Sequence, residues 1–208
     1  MKKTTLISMI IFFGALWGIL EATLGAVLHL VPIPFLAGSI MFPIAAVILL
    51  KAYPLVLSKT AMLAIGLIAA MIKAINFLTP MNQWGIINPI IAIILESLIV
   101  VGLVGYLTKA QIQHRLLAFI TASLAWRLAF LGWYGLQFIT TGFLADQLTS
   151  MSVFLSFTVL QGLLSGLLAF GLYETLNLMP KPRIKRLAYQ PLIASMALLI
   201  AFALSYLL

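Results

Sequence analysis

The segment LLAFITASLAWRLAFLGWYGLQFITT (residues 116–141) is long enough to cross a lipid bilayer and contains a single charged residue, Arg127. A transmembrane helix needs about 20 predominantly apolar residues. A guanidinium stays protonated at any accessible pH, so Arg127 must meet polar or charged partners within such a span. The segment therefore predicts a membrane-spanning helix whose one charge points into the protein.

The rest of the chain has the same apolar character. Of its 208 residues, 64% are hydrophobic and 8% are charged, whereas soluble domains carry about 25% charged residues. This composition predicts an all-α integral membrane protein, a bundle of six to seven transmembrane helices. The absence of cysteine excludes disulfides and thiolate metal sites. We predict no enzyme activity, no cofactor and no metal site.

Seven apolar stretches are candidate spans, at about 5–29, 35–51, 60–79, 84–107, 116–141, 151–178 and 188–208. The second is short and contains Pro43, so a tilted or re-entrant segment is an alternative to a full span. We expect residues 1–180 to form a six-helix membrane bundle with a ligand cavity. Residues 181–208 then add a basic inner loop and one more transmembrane helix.

Basic residues collect on one side of this predicted topology. With the N-terminus inside, ten of the twelve Lys and Arg residues lie in inner segments, and the only charge in the outer loops is Asp146. This bias predicts a multi-pass protein of the cell (cytoplasmic) membrane, a bacterial inner membrane, with the N-terminus inside. The cluster KPRIKR (181–186) is interpreted as a topology anchor. The positive charge is expected to face the anionic lipid bilayer or a cytoplasmic partner, not nucleic acid.

Four charged residues lie deep within the predicted spans, away from the inner ends: Glu21, Lys73, Glu96 and Arg127. The helical rise places them about 18–27 Å from the inner boundary. Because an unpaired charge at the bilayer centre costs ~2.5–3.5 kcal/mol, we expect these residues to face the bundle interior. The predicted pairs are Glu96 with Arg127 and Lys73 with Glu21. Alternatively, the pairs are purely structural, or Lys73 snorkels to the outer surface.

Polar and aromatic residues accompany these charges along the helices. On the fifth span, Ser123, Arg127, Phe130, Tyr134 and Gln137 follow one helical stripe. Aromatic rings interleaved with hydrogen-bonding groups favour a cavity for a small, partly aromatic, polar ligand. The predicted ligand-binding residues are Arg127, Glu96, Lys73, Glu21, Asn76, Trp17, Trp126, Tyr134, Gln137 and Gln161.

The charge of that ligand stays open at this point. Arg127 or Lys73 would meet an anionic group, whereas Glu21 or Glu96 would meet a cationic one. His29 and Glu21 could supply two metal ligands, but two ligands do not make a site.

Small residues recur at steps of four in GALWGILEATLGA (14–26), and the predicted first outer loop, HLVPIPFLAGS (29–39), is proline-rich. Together with the size and layout of residues 5–178, these features resemble the substrate-binding S components of energy-coupling-factor vitamin transporters. The resemblance implies six spans, binding of a vitamin or precursor from outside, and docking to a transmembrane coupling subunit with ATPases. It also implies that the docking residues are Gly14, Gly18, Ala22 and Ala26.

The predicted function is therefore membrane-embedded binding of a small molecule for uptake, dependent on an external ATP-driven coupling module. One alternative is an accessory or assembly protein whose buried ion pairs only fix helix register. Another is an ion-coupled carrier that uses the buried glutamates. The seventh span and the position of Glu21 beside the small-residue ridge depart from the S-component pattern.

Overall fold

A computed structural model describes residues 3–178 and 187–208. Within these ranges the chain is helical, without β-strands, and the six longest helices are long and apolar enough to cross a membrane. The predicted all-α bundle is confirmed at this level. The main helices are α1 (Lys3–Leu30), α2 (Leu36–Val56), α3 (Lys59–Leu78), α4 (Gln83–Lys109), α5 (Ile112–Thr141), α6 (Met151–Leu178) and α7 (Pro191–Leu207).

Helix α2 lies at the centre of the bundle and contacts α1, α3, α4 and α6. In the most apolar stretch of α2, 67% of the residues are buried inside the protein, whereas the corresponding share in the other five long helices is 33–50%. Pro43 and Pro54 lie inside the continuous helix. Pro43 is buried, and enclosure by neighbouring helices makes its lost backbone hydrogen bond tolerable, whereas Pro54 is exposed near the C-terminal end of the helix. The second segment is therefore one continuous helix that is long and apolar enough to cross a membrane.

The remaining spans surround α2. Helix α1 packs on α3, α3 on α4, α4 on α5, and α5 on α6, which returns to α2. Helices α4 and α5, which carry Glu96 and Arg127, are therefore neighbours in the bundle. Helix α7 packs on the outside of α1, where Ala15, Ile72 and Ala201 form a small separate apolar cluster. The predicted anchor KPRIKR lies outside the described residues.

Glycines bring several helices into close contact. A Cβ added to Gly14 would lie 2.7 Å from Ile68, and one added to Gly18 would lie 2.5 Å from Ile72. Both glycines therefore face α3 within the same chain, and the prediction that they dock another subunit is wrong. Of the other two predicted docking residues, Ala22 is also buried and Ala26 is half-buried.

At one end of the bundle, an ion pair and a hydrogen bond from basic side chains join α5 and α2 to α6. The Arg115 Nε atom lies 2.8 Å from Glu174 Oε1, joining α5 to α6. The Lys51 Nζ atom donates a 2.6 Å hydrogen bond to Asn177 Oδ1, joining α2 to α6. The opposite end contains a large hollow between the helices.

Candidate ligand-binding cavity

A cavity of about 990 Å³ opens at the end of the bundle formed by the α1–α2 and α5–α6 loops. Its rim includes the exposed residues Pro32 and Asp146, whereas Met41, Ile93 and Trp126 in its lining are almost fully buried. The cavity thus runs from an exposed rim to the buried interior. Its volume lies at the upper end of the range of small-molecule sites, about 300–1,000 Å³.

Glu96 forms a polar patch in the buried part of the lining. The residue lies on α4 and is 3% exposed. Its Oε2 atom has no hydrogen-bond partner among the described residues. A buried polar atom without a partner costs about 1–3 kcal/mol, and more when it is charged. A ligand that brings a donor to Glu96 would remove this cost.

Glu21 lines the same cavity from α1. The indole Nε1 of Trp17, one turn earlier, donates a 3.2 Å hydrogen bond to Glu21 Oε1. Trp17 itself is fully buried and lies behind the cavity wall, so it orients the carboxylate and is not a lining residue. Glu21 and Glu96 are close enough to repel each other electrostatically.

Two helices that line the cavity widen into π-helical turns, Glu21–Gly25 in α1 and Ser156–Leu160 in α6. Each turn contributes lining residues, among them Glu21 and Phe157. Single π turns within α-helices occur frequently at functional sites. Their presence on two helices that line one cavity supports the assignment of the cavity as a site.

Aromatic residues form much of the remaining wall. Trp126, Phe130 and Tyr134 project from α5, with ring centroids 6.0 Å and 4.6 Å apart in succession. Phe157 of α6 packs edge-on against Phe35 at 5.3 Å. Phe35 has a φ of 62°, an unfavourable backbone conformation for a bulky residue, and such strain tends to occur at functional sites.

The ionisable groups that line the cavity are mainly acidic. Glu21, Glu96 and Asp146 contribute carboxylates, and His29 is the one basic side chain in the described lining, which contains no Lys or Arg. The cavity is therefore acidic although the whole chain has a formal charge of +8. Residues 3–178 and 187–208 contain no group of three or more His, Asp or Glu side chains placed to hold a metal ion.

Arg127 does not line this cavity, contrary to the prediction. It is fully buried, and its Nη2 donates to Ser39 Oγ at 3.2 Å and to the Gln161 main-chain oxygen at 3.3 Å. The guanidinium lies 4.7 Å from the Trp126 ring and 5.2 Å from the Phe157 ring. We call Ser39, Arg127 and Gln161 the arginine junction, because they join α2, α5 and α6.

The two predicted ion pairs do not form direct contacts. Among the described residues, only Arg115 and Glu174 form an ion pair with a nitrogen–oxygen distance below 4.0 Å. Arg127 and Glu96 interact electrostatically without touching, as do Lys73 and Glu21. The prediction of direct pairs is therefore wrong, although each charge lies near its expected partner.

Lys73 and Asn76, both predicted ligand-binding residues, lie outside the lining. Lys73 is half-buried on α3 and acts electrostatically on Glu21 and His29. The Asn76 amide donates to the Ser205 main-chain oxygen at 2.9 Å, and Ser205 Oγ donates back to Asn76 Oδ1. Asn76 thus attaches α7 to α3.

Gln137 and Gln161 also lie outside the lining. Gln161 accepts from Ser39 Oγ at 3.1 Å and donates to the Pro34 main-chain oxygen at 3.1 Å. Gln137 is buried, and its amide atoms have no partner in the described part of the chain. The predicted lining is therefore corrected for six residues: Arg127, Lys73, Asn76, Trp17, Gln137 and Gln161.

The predicted residues that do line the cavity are Glu21, Glu96, Trp126 and Tyr134. Sequence reasoning missed Phe157, Gln147 and Asp146 as lining residues. The Tyr134 side chain lies close to Gln147 and Asp146. A signal for Asp146 was present, since it is the only charge in the predicted outer loops. Phe157 had no comparable signal.

Comparison with protein-family models, curated proteins and solved structures found no match to this chain.

Proposed function

We propose that this protein is a membrane-embedded subunit that binds a small molecule in the cavity during its uptake into the cell. The observation that carries the proposal is the path from an exposed rim to Glu96, a buried carboxylate with an oxygen that no described residue satisfies. Intramembrane ionisable residues that face a cavity mark substrate pathways. The aromatic wall provides contact area for a ring-bearing ligand.

The distribution of charge supports uptake from outside. Lys3, Lys51, Lys59, Lys109 and Arg115 lie near the helix ends opposite the cavity mouth. By the positive-inside rule, those ends face the cytoplasm. The mouth then faces the outer side, and the N-terminus lies inside.

The S-component resemblance supports dependence on an external ATP-driven module. The surface that such a module would contact differs from the predicted one, because α3 covers Gly14 and Gly18. Helix α7 covers a further part of α1. A coupling subunit would therefore dock on another face of the bundle.

Blocking the cavity tests the proposal. Ala92 lines the cavity, and Ala92→Phe places a ring inside it. Leu98 lies on the same helix, is 49% exposed and does not line this cavity, so Leu98→Phe is a matched control. Small molecules extracted from the proteins, purified in mild detergent, are compared by mass spectrometry.

We expect one compound to be retained by the wild type and by Leu98→Phe and lost from Ala92→Phe. Cells that produce the wild type or Leu98→Phe should take up that compound, and cells that produce Ala92→Phe should not. The proposal is overturned if the wild type retains no compound, or if Ala92→Phe retains it equally.

A second candidate function is supported by the arginine junction. Arg127 of α5 is hydrogen-bonded to partners on α2 and α6, as expected for an accessory membrane protein whose buried polar groups fix helix register. The cavity has no role under this alternative. Equal thermal stability and equal cellular function of wild type and Ala92→Phe would favour it.

A further inference from the structure

We infer that the ligand of this cavity is a small organic cation, a ring-bearing molecule whose positively charged nitrogen contacts the Glu96 carboxylate. The inference rests on the proposed function and deepens it by assigning the charge and chemical class of the ligand. Sequence alone leaves open whether a basic or an acidic residue meets the ligand; the arrangement of the described side chains favours the acidic ones.

The first support is the state of Glu96. Its side chain is 97% enclosed, it lines the cavity, and Oε2 has no donor from the described residues. An ammonium or amidinium group provides both the missing donor and the opposite charge. Charge-assisted hydrogen bonds of this kind are shorter and about twice as strong as neutral ones.

The second support is the position of the basic residues. Arg127 is held in the arginine junction, behind the lining residues Trp126 and Phe157, and does not itself line the cavity. Lys73 of α3 lies outside the lining, and it interacts electrostatically with Glu21 and His29. An anionic ligand would therefore meet the carboxylates of Glu21 and Glu96 without a lysine or arginine from the described lining to offset the repulsion.

The third support is the aromatic wall. Phe130 and Tyr134 line the cavity beside Trp126, and aromatic faces attract cations by about 0.5–2 kcal/mol. The protein already uses this interaction internally, since Arg127 lies over the Trp126 ring at 4.7 Å. A ligand cation with a flat ring would gain both the electrostatic and the stacking contact.

The cavity dimensions favour an organic cation over a metal ion. A volume of about 990 Å³ greatly exceeds the space of a single ion. The acidic and histidine side chains of the described chain do not converge into a set of three ligands. Glu96 and Glu21 therefore face a space sized for a molecule.

The test compares probes of matched shape and different charge. Benzamidine is a cation at neutral pH, benzamide is neutral and benzoate is an anion, and all three carry one planar ring. Tryptamine provides a larger cation. Binding to the purified wild-type protein in detergent, stripped of retained compounds, is measured by the shift in thermal unfolding and by calorimetry.

We expect benzamidine or tryptamine to stabilise the wild type and to bind at least tenfold more tightly than benzamide or benzoate. Glu96→Gln keeps the size of the side chain and removes its charge. It should weaken cation binding on the order of 10- to 100-fold. Glu174→Gln removes a carboxylate at the opposite end of the bundle and should leave the affinity unchanged.

The outcomes separate this inference from the proposed function. Preferential binding of benzoate or benzamide that Ala92→Phe abolishes would overturn the cationic ligand and retain the cavity as a binding site. Cation binding that is equal in Glu96→Gln and wild type would also overturn the inference. Binding of no probe, together with no retained compound in the wild type, would overturn both. The selectivity of the wild type does not depend on whether Glu96→Gln folds.

Discussion

Arg127 and Glu96 are both charged, deeply buried and carried by neighbouring spans, yet their surroundings differ. The arginine junction encloses Arg127 with acceptors from α2 and α6. Its Nε and Nη1 atoms have no acceptor in the described chain, but two aromatic rings lie over the guanidinium. Glu96 faces a hollow, and its Oε2 meets no donor from the described residues.

Under the proposed function, this difference separates a structural charge from a binding charge. Burial alone does not distinguish them, because both side chains are at most 3% exposed. The protein holds Arg127 through two hydrogen bonds from Nη2 and two aromatic rings, so its removal should damage the fold. It leaves Glu96 unsatisfied at the edge of a cavity, so its removal should relieve a cost and affect ligand binding. Four substitutions examine this contrast.

The largest effect is expected for Arg127→Ala. The change empties the space of a large side chain between three helices and removes the donor to Ser39 and Gln161. Large-to-small substitutions in protein cores cost about 2–5 kcal/mol. We expect a marked fall in the thermal unfolding temperature, measured in detergent. Leu128→Ala, at a neighbouring position that is 52% exposed, is the control; an equal response of both variants would contradict a structural junction.

Glu96→Leu should have the opposite effect. Replacing an unsatisfied buried carboxylate by an apolar side chain of similar size removes a penalty of about 1–3 kcal/mol. The unfolding temperature of the ligand-free protein should therefore rise, while cation binding is lost. A fall in that temperature would show that Glu96 stabilises the fold, and the contrast with Arg127 would then disappear.

Asn76→Ala should lower stability by about 1–2 kcal/mol, because the change removes a hydrogen bond in each direction between α3 and α7. Probe affinity should be unchanged, since Asn76 does not line the cavity. Unfolding and calorimetry of the same sample give both quantities. Phe77→Ala, at an exposed position, controls for a general effect at this helix end. Reduced probe affinity at full stability would return Asn76 to the ligand site.

The smallest effect is expected for Ser39→Ala, about 1 kcal/mol. Its hydroxyl links Arg127 to Gln161, but Arg127 keeps its bond to the Gln161 main-chain oxygen. Thr175→Val removes an exposed hydroxyl that bonds only within its own helix and should change little. Thermal unfolding compares the two, and indistinguishable values would argue against a connected junction.

Much of the fold could be predicted from sequence because lipid imposes a simple requirement. A span must be apolar for about 20 residues, and this locates the main helices directly. The inward stripe of α5 was also predictable from helical spacing, and Ser123, Arg127 and Gln137 are indeed buried. The sequence left open whether the second span continues through Pro43 or bends there, because the answer depends on neighbouring helices that enclose the proline.

The site was predictable only in part. Sequence identifies polar residues on inward faces, and this found Glu21 and Glu96. It does not show whether another helix brings a partner to such a residue. Ser205 of α7 meets Asn76, and Ser39 of α2 meets Arg127, through contacts between distant parts of the chain. These encounters decide which polar groups are structural.

The two π turns make the position of the lining residues on α1 and α6 depend on the exact number of residues in each helix. A π turn accommodates one extra residue without displacing the helix beyond it. Deleting a single residue from 21–25, and another from 156–160, would thus convert both turns to regular α-helix while the rest of α1 and α6 keeps its packing on the neighbouring helices. A comparison of homologous chains that aligns residues without allowing these one-position gaps would misplace every side chain on one side of each turn. In this chain, the residue spacing along α1 and α6 determines which side chains face the cavity, and residue identity alone does not.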